Sequence, residues 1–411
     1  MSGDSETLYL LILDTHSSAR TGSLPLMSKI IKSLSISGFK SIRQLQEFEL
    51  GHVNVFIGAN GAGKSNFISF FRFLREMIDE RLQVAVAKGG GADAFLYMGP
   101  KITNEIGVSI RFGANGYDFR LAPTVDDRLI FQEEKTLYFG GQFGPTQRTI
   151  GSGNTEANIR KRKDNPGLTA PFGVEHYVYE SVSSWIVYHF HDTSETSAVR
   201  RSGNIADNEV LRSDASNLAA FLYRIKQTHP GHYEKVIEIV RLATPFFGDF
   251  RLRPNPTNPD SIQLEWFQRD SDYPFLPSQL SDGTLRFICL ATALLQPIPP
   301  PTSLFDEPEL GLHPFALVLL GKLLRQAVAP SGYITNQIII STQSAMLLNE
   351  FSPDEVVVVE RREGQSVFTR LQDKDLSEWL NEYSLGELWQ KNVLGGRPRM
   401  EDGILAKAES N

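Results

Sequence analysis

Cysteine, long apolar runs and excess positive charge are all scarce in this sequence. Its 411 residues include a single cysteine, Cys289, which excludes intramolecular disulfides and suits a reducing compartment. No apolar run approaches the ~20 residues that a membrane-spanning helix needs. The short run LYLLIL at residues 8–13 follows acidic residues and makes a poor secretion signal. We therefore expect a cytoplasmic protein that makes no membrane contact.

The charge balance argues against an extended surface for binding a polyanion. The formal net charge is −7, so any contact with nucleic acid must come from a local basic patch. Hydrophobic residues make up 41% and charged residues 22% of the chain, which is typical of a globular protein with two or three compact units. We find no internal repeat and no heptad run long enough for a coiled coil.

Hydrophobic periodicity predicts the order of elements along the chain. The predicted elements are strands within 29–57, an amphipathic helix over 64–82, a β-rich region over 88–139, a long mobile loop over 140–173, a strand in SWIVYHF at 184–190, helices near 215–228 and 231–245, and alternating helices and strands from 280 onward. The apolar run Ile338–Ile340 is expected to be a buried strand, central in a parallel sheet. Gln343 follows that strand, at the end where ligands bind in open α/β sheets.

The strongest motif is GANGAGKS at residues 58–65, which matches G-x-x-x-x-G-K-[ST]. It follows the apolar strand VNVFI and opens a helix, so a chance glycine-rich turn is the weaker interpretation. Gly58, Gly61 and Gly63 would let backbone N–H groups surround phosphate oxygens, and the helix N-terminus adds partial positive charge. We expect Lys64 to reach the β- and γ-phosphates of ATP and the Ser65 hydroxyl to ligate Mg²⁺.

Two adjacent carboxylates follow a second apolar strand in TSLFDEPELGLHP, residues 302–314. Asp306 is expected to hold Mg²⁺ opposite Ser65, and Glu307 to polarise the attacking water as general base. An ordinary acidic loop is the alternative, and the phosphate loop elsewhere in the chain weakens it. His313 and Pro314 are expected to begin the next helix.

A third motif, QLSDGTLRFICLATALL at 279–295, predicts a capped helix. Ser281 and Asp282 are N-cap candidates, and Gly283 permits close backbone approach. A free helix N-terminus attracts anions, so this motif could read the γ-phosphate bound by another protomer. A plain capped helix is the alternative. Cys289 within this helix is expected to be a small buried hydrophobe.

Together the motifs GANGAGKSN, LSDGT and FDEPELGLHP resemble the ABC-type ATPase heads of the RecF/SMC group, and the tail EYSLGELWQKNVLGGRP resembles bacterial RecF-like AAA family ATPases. The resemblance implies an α/β P-loop NTPase fold with a mixed β lobe and a helical signature lobe. It adds Asn60 and Asn66 to the nucleotide contacts. It also implies a homodimer that sandwiches two ATP molecules, in which Ser281, Asp282 and Gly283 complete the partner's site.

The sequence departs from these relatives in three ways. The interval between phosphate loop and signature lacks the long coiled coil of SMC proteins, and residues 344–411 are too few for the nuclease domain of OLD-type proteins. Gln343 stands where the group usually has a histidine. A glutamine can still orient water but carries no titratable charge, so we expect slow hydrolysis without a histidine-derived pH dependence. The alternative is that Gln343 is a polar strand-end residue without a role.

These observations predict five segments and two hypotheses for the biological output. The segments are a non-core extension (1–26), an ATP-binding lobe (27–140), an inserted loop, strand and helical region (141–279), a segment that completes the ATPase core (280–365) and a C-terminal tail (366–411). The first hypothesis is DNA repair or maintenance, with DNA as partner. The second is a regulatory switch that recruits a protein effector in phage defence. LSDGT and ELGLHP disfavour the motor subunit of a membrane transporter.

Two weaker features complete the sequence-based candidates. His189 and His191 could face the same way from a strand, but without a third ligand a structural or interface role is favoured over a metal pair. The basic run Arg160–Lys163, with Arg200 and Arg201, could contact DNA phosphates. A solvated loop is the alternative, and the net negative charge slightly favours it.

Overall fold

Two six-stranded β-sheets form the framework of the described part of the chain. A computed structural model describes residues 29–141, 144–163, 173–328 and 336–397, so the predicted extension at 1–26 lies outside the described residues. Among the residues that the structure describes, every helix is too short or too polar to cross a bilayer.

The first sheet is antiparallel, with strand order β2-β1-β4-β5-β6-β7. Its strands, numbered along the whole chain, are β1 (Ser33–Phe39), β2 (Ile42–Glu49), β4 (Ile106–Phe112), β5 (Asn115–Pro123), β6 (Leu129–Tyr138) and β7 (Thr146–Gly151). Residues of β4 alternate between buried and partly exposed, because one face of the sheet packs on the core and the other meets solvent. The strands predicted within 29–57 and 88–139 are confirmed.

The second sheet is mainly parallel, with strand order β18-β17-β3-β16-β15-β8. Its strands are β3 (Val53–Ile57), β8 (Ile186–Tyr188), β15 (Thr302–Asp306), β16 (Gln337–Ser341), β17 (Val356–Arg362) and β18 (Gln365–Arg370). Strand β16 is central and fully buried, which confirms the prediction for its isoleucine run. Ile339 joins the core under the antiparallel sheet, and Ile338 and Ile340 join the core under the helical layer.

Helices cover both faces of the parallel sheet. They are α1 (Lys64–Ile78), α2 (Leu82–Lys88), α3 (Ile159–Lys163), α4 (Val174–Ser183), α5 (Leu218–Thr228), α6 (Pro230–Ala243), α7 (Asp282–Leu295), α8 (Pro314–Ala327), α9 (Ala345–Leu348), α10 (Asp373–Leu376) and α11 (Leu385–Gln390). Helix α1 buries Phe67, Phe70, Phe71 and Leu74, at the spacing of one helical face, between the two sheets. It ends before the predicted residue 82, because Glu80 adopts a left-handed φ of 60°.

The region around the predicted signature combines helices with short strands. Helices α5 and α6 confirm the predictions near 215–228 and 231–245, and α6 packs against α7. Two three-stranded sheets lie in the same region, with orders β10-β13-β14 and β11-β12-β9. Their strands are β9 (Gly203–Asn204), β10 (Phe247–Arg251), β11 (Pro254–Asn255), β12 (Asn258–Ile262), β13 (Glu265–Gln268) and β14 (Pro274–Phe275).

The prediction of a long loop over 140–173 is wrong for much of that range. Residues Thr146–Gly151 form the edge strand β7, and Ile159–Lys163 form α3. The buried carboxylate of Glu134 accepts the backbone N–H groups of Asn158 and Ile159, at 2.9 and 3.2 Å. Pairing with the preceding strand β6 and hydrogen bonds to the buried Glu134 carboxylate therefore order a segment whose own composition favours turns. Residues 142–143 and 164–172 lie outside the described part.

Candidate functional site

The segment 58–63 connects β3 to α1 and has the backbone shape that its glycines allow. Gly58 and Gly63 adopt φ of 149° and 114°. A Cβ at Gly58 would overlap the Val359 carbonyl oxygen, and a Cβ at Gly63 would overlap the Ser366 hydroxyl. Gly61, at φ 77°, and Asn60 are exposed at the tip of the loop. The loop is thus packed closely on β17 and β18 while its tip stays accessible to a ligand.

Ser41 and Ser366, which the sequence did not indicate, hold this loop and the start of α1 through hydrogen bonds. Ser366 Oγ donates to the Ala62 carbonyl over 2.6 Å and lies 2.8 Å from Ser41 Oγ. The side-chain amide of Asn66 donates to Ser41 Oγ over 2.8 Å. Ser41 lies in the β1–β2 turn and Ser366 belongs to β18, so no local pattern around the motif could have indicated either residue.

Lys64 is buried at the start of α1, 4% exposed, and its ammonium donates to two backbone carbonyls of the loop. The acceptors are Gly58 O at 2.7 Å and Ala59 O at 3.1 Å. Burial lowers the pKa of the Lys64 ammonium, and the carboxylates of Glu307, Asp306 and Glu309 act in the opposite direction. A cation held under a loop of backbone N–H groups suits the binding of phosphate oxygens.

The Ser65 hydroxyl and the Asp306 carboxylate meet across the ends of α1 and β15. Ser65 Oγ donates to Asp306 Oδ1 over 3.3 Å, and Ser341 Oγ, directly opposite in the strand register, donates to the same oxygen. No group of three or more His, Cys, Asp or Glu side chains in the described ranges could hold a metal by itself. One hydroxyl and one carboxylate fit Mg²⁺, which usually completes its shell with waters and substrate phosphates.

Glu307 and Gln343 form a direct side-chain pair beside this oxygen cluster. Gln343 Nε2 donates to Glu307 Oε1, and the Glu307 N–H donates to Ser341 O over 2.9 Å. Glu307 adopts φ 45°, a strained conformation for a residue with a Cβ, and such strain is common at functional sites. The geometry brings together two residues that lie 36 positions apart in the chain.

Glu309 is a further carboxylate of the site that the sequence analysis did not single out. Its Oε1 accepts the Gln343 backbone N–H over 2.6 Å. Burial raises the pKa of the Glu309 carboxyl, while the bonds from Gln343 and from the Thr342 hydroxyl oppose that shift. Its place two residues after Glu307 was the one available signal. Glu309 fixes the backbone from which the Gln343 side chain projects.

The predicted signature residues lie at the start of α7, where Ser281 is the N-cap. Ser281 Oγ accepts the Thr284 N–H over 3.1 Å, which confirms the capping prediction. The Asp282 side chain is 66% exposed. A Cβ at Gly283 would overlap the Gly311 carbonyl oxygen, so the helix start approaches the loop after Glu307 closely. The described side-chain hydrogen bonds of Ser281 and Asp282 are with Thr284 and Arg200, and none is with the phosphate loop.

The sequence suggested that Arg200 could contact DNA phosphates. In the structure it is buried next to Ser281 and Asp282 and is not available for that contact. Its guanidinium donates to the carbonyls of Thr193, Pro277 and Leu280 and pairs with Asp282 at 2.7 Å. Arg201 is exposed, and it donates to Thr196 O. Arg200 therefore holds the turn that presents Ser281.

The basic run in α3 also has intramolecular partners. Lys161 pairs with Glu80 at 3.2 Å and Lys163 with Glu180 at 3.6 Å. Arg160 donates to the Asp79 carbonyl over 3.4 Å. Nearby acidic side chains thus offset part of this positive charge, which weakens the case for a DNA-binding patch here.

The two histidines lie at the end of β8, next to the strand that carries Asp306. Tyr188 pairs with Phe305 in the parallel register, so His189 follows β8 at the level where Asp306 ends β15. The ring centroids of His189 and His191 are 5.0 Å apart. His191 also lines a small cavity together with Asp306 and Glu307. The sequence analysis favoured a structural or interface role for the pair, and their position beside the carboxylates was missed.

A protein-family model described as "AAA domain, putative AbiEii toxin, Type IV TA system" matches residues 53–349. The matched segment contains the phosphate loop, the signature, both strand-end carboxylates and Gln343. No curated protein matches the sequence.

Solved structures of Smc head domains are similar to this chain. A head bound to the C-winged helix domain of ScpA is 16% identical, with a TM-score of 0.54, over 84% of this chain and 99% of that chain. A Pyrococcus furiosus head with an extended coiled coil, bound to the C-terminal domain of ScpA, is 17% identical, with a TM-score of 0.49, over 86% and 98%. At such identities the likeness concerns the fold alone. The predicted α/β P-loop fold of ABC-type head class is confirmed.

Proposed function

The chain belongs to the AAA-domain family whose model matches residues 53–349, and on that premise we propose that it binds ATP with Mg²⁺ and hydrolyses ATP to ADP and phosphate. One observation carries the proposal. Lys64, the Ser65–Asp306 contact and the Gln343–Glu307 pair lie together where β3, β16 and β15 end side by side in the parallel sheet. Open α/β sheets bind ligands at this edge.

Each residue has a distinct task in the proposed reaction. The Lys64 ammonium and the loop N–H groups would stabilise the charge on the β- and γ-phosphates. The Ser65 and Asp306 oxygens would hold Mg²⁺, which supplies further neutralisation of phosphate charge when bound. Glu307 would accept the proton of the attacking water as general base, and Gln343 would hold that carboxylate and orient the water.

We further propose that two copies of the chain close around two ATP molecules. The helix start at Ser281–Gly283, where Ser281 and Asp282 are exposed, has no described contact with the phosphate loop of its own chain. In a two-fold symmetric dimer each copy would present this helix start to the γ-phosphate held by the other. The resemblance to the RecF/SMC group supports this arrangement.

The two hypotheses for the output differ in the partner. The ion pairs of α3 and the burial of Arg200 weaken DNA binding at the basic residues considered from sequence. A protein effector is supported by the family description, which names a toxin of a toxin–antitoxin system, and by the ScpA domain bound to the similar Smc head. We therefore favour an ATP-dependent switch that acts on a protein partner, with DNA maintenance as the second candidate.

The test of the ATPase and of the dimer uses Glu307→Gln, with Lys64→Ala as the non-binding comparison. Wild-type protein should release phosphate from ATP only with Mg²⁺. Glu307→Gln should bind ATP, hydrolyse it at least about a hundredfold more slowly and accumulate as a dimer in sedimentation velocity runs. Lys64→Ala should stay monomeric. A wild-type protein without ATP turnover, or a Glu307→Gln variant that remains monomeric with saturating ATP, would contradict the respective part of the proposal.

ATP turnover measured with and without duplex DNA distinguishes DNA maintenance from the effector switch. Stimulation of ATP turnover by duplex DNA that disappears at high salt would support DNA maintenance, because phosphate contacts are strongly salt-dependent. A turnover rate unaffected by DNA, together with ATP-dependent co-purification of the product of a neighbouring gene, would support the effector switch.

A further inference from the structure

The C-terminal residues 384–397, here called the C-terminal clamp, contact both sides of the candidate site. They include α11 and the turn that follows it, and they lie beyond the segment matched by the family model. Leu385, Leu388 and Leu394 are buried in the core under the helical layer. The clamp therefore packs as part of the fold, and its contacts with the site are made by backbone rather than by long side chains.

On one side the clamp touches the segment that carries Gln343. Helix α11 packs against the short helix α9, which begins two residues after Gln343. The Gly386 N–H donates to Asn349 Oδ1 over 2.7 Å, and a Cβ at Gly386 would overlap the Ala345 carbonyl oxygen. Only a glycine lets the two helices approach this closely, so the position of α9 depends on α11.

On the other side the clamp touches the first residues of the phosphate loop. The Ala59 N–H donates to the Gly396 carbonyl over 2.9 Å, and the Gly396 N–H donates to Glu360 Oε1 over 3.1 Å. Gly396 has φ 82°, and a Cβ there would lie 3.4 Å from Gly58 Cα and 3.2 Å from Val358 Cγ1. The loop backbone at Gly58 is thus enclosed between β17 and the clamp.

The contact with Ala59 leads directly to the lysine of the site. The Ala59 carbonyl accepts the Lys64 ammonium at 3.1 Å, and the N–H of the same residue is the one held by Gly396. A shift of the Gly396 turn would therefore move an acceptor of Lys64. A shift of α11 would instead move α9 and the backbone next to Gln343.

We propose that the C-terminal clamp is a positioning element of the ATPase, in which Gly396 sets the phosphate loop and Lys64 while Gly386 sets the Gln343 segment. The proposal rests on the proposed ATPase function. The contacts of Gly396 and Gly386 should affect different steps. The phosphate loop binds ATP before and during the reaction, whereas Gln343 acts on the water in the transition state. Displacing the first should change affinity, and displacing the second should change the rate of the bound complex.

The test compares Gly396→Ala with Gly386→Ala in the full-length chain. Gly396→Ala should raise KM for ATP–Mg²⁺ about tenfold and leave kcat within about twofold. Gly386→Ala should lower kcat about tenfold and leave KM within about twofold. Titration with fluorescent N-methylanthraniloyl-ATP should show weaker equilibrium binding by Gly396→Ala and unchanged binding by Gly386→Ala. Gly153→Ala is the matched control, because Gly153 has a similar φ of 75° but open space around its Cβ position.

A second pair of variants tests the same contacts without adding a Cβ. Glu360→Gln weakens the acceptor of the Gly396 N–H, and Asn349→Ala removes the acceptor of the Gly386 N–H. Glu360→Gln should raise KM and Asn349→Ala should lower kcat, each by less than the corresponding glycine variant. These two variants test the proposal if a glycine variant does not fold. Folded variants with the kinetics of Gly153→Ala, or with equal losses of affinity and rate, would overturn the clamp proposal while wild-type ATPase activity stands. Absence of ATP binding and turnover in the wild type would instead refute the proposed function.

Discussion

Gln343 donates from its side-chain amide to the Glu307 carboxylate, and its backbone N–H is held by Glu309 at 2.6 Å. The pair spans the ends of the adjacent parallel strands β16 and β15. A glutamine can hold a carboxylate and a water at once, because its amide offers donors and an acceptor without a titratable charge. The proposed general base and its orienting residue thus form one unit.

The pair predicts different outcomes for two substitutions at Gln343. Gln343→Ala should lower kcat about tenfold to a hundredfold with little change in KM, because the water loses its orienting group. Gln343→His should retain part of the turnover and acquire an ionisation near pH 6.5, below which the charged imidazole no longer accepts a hydrogen bond. Steady-state ATPase rates between pH 5.5 and 8.5 measure both effects, with Gln44→Ala on the exposed β2 strand as control. Unchanged rates in both variants would remove the assignment.

The motif residues of the site could be located from sequence because each is encoded locally. A phosphate loop needs glycines and a lysine at fixed spacing, and the acidic pair needs only an apolar strand before it. Ser341 and Ser366 were missed for the opposite reason. Their roles arise from strand register and from a hairpin that reaches the loop across the sheet, and no local spacing reports such contacts.

The Ser65 hydroxyl makes the use of Mg²⁺ testable. Ser65 Oγ lies 3.3 Å from Asp306 Oδ1, so the two oxygens could share one cation. Ser65→Ala should raise the Mg²⁺ concentration for half-maximal ATP turnover about tenfold, and added EDTA should abolish the turnover of both proteins. Ser37→Ala, on the open face of the antiparallel sheet, should behave as wild type. An unchanged Mg²⁺ requirement in Ser65→Ala would exclude the serine as a ligand.

Arg200 and Arg201 are adjacent in sequence but should differ sharply in their effect on stability. Arg200→Ala removes the donors to the Thr193, Pro277 and Leu280 carbonyls and should lower the free energy of unfolding by about 3 kcal/mol. Arg201→Ala alters an exposed side chain and should change the free energy of unfolding by less than about 0.5 kcal/mol. Urea unfolding followed by circular dichroism measures both values. Equal losses would show that burial of Arg200 is not what holds the signature turn.

Elements with a clear apolar period were predictable, and elements that depend on tertiary contacts were not. The continuous isoleucine run of β16 indicates a strand buried on both faces. The helical spacing of the phenylalanines in α1 indicates a helix buried on one face. Strand β7 and helix α3 do not, because they depend on pairing with β6 and on the buried Glu134. Glycine and asparagine in this segment favoured a loop, and tertiary contacts outweighed that preference.

The buried Glu134 predicts a defined dependence of stability on pH. Burial raises the pKa of its carboxyl above 4.5, although bonds from the Asn158 and Ile159 N–H groups and from Tyr117 oppose the shift. The folded state therefore keeps a proton to higher pH than the unfolded state, and this contribution to stability is lost as pH rises from about 4.5 through the folded pKa. The excess stability of wild type over Glu134→Gln, measured by urea unfolding, should shrink over that window. A difference independent of pH would contradict the shift.

Mixing two variants that we expect to be inactive tests whether the nucleotide sites are shared between subunits. Lys64→Ala is expected to lose phosphate binding, and Ser281→Ala removes the helix cap that would face the partner's nucleotide. In a mixed dimer, one site combines both defects and the other combines an intact phosphate loop with an intact signature. Each mixed dimer contains one intact site out of two, so an equimolar mixture should recover turnover that neither variant shows alone, up to about half of the wild-type rate if every subunit pairs in a mixed dimer. Each variant alone at the same total concentration is the control. A mixture that only averages the two separate rates would mean that Ser281 acts within its own subunit or not at all.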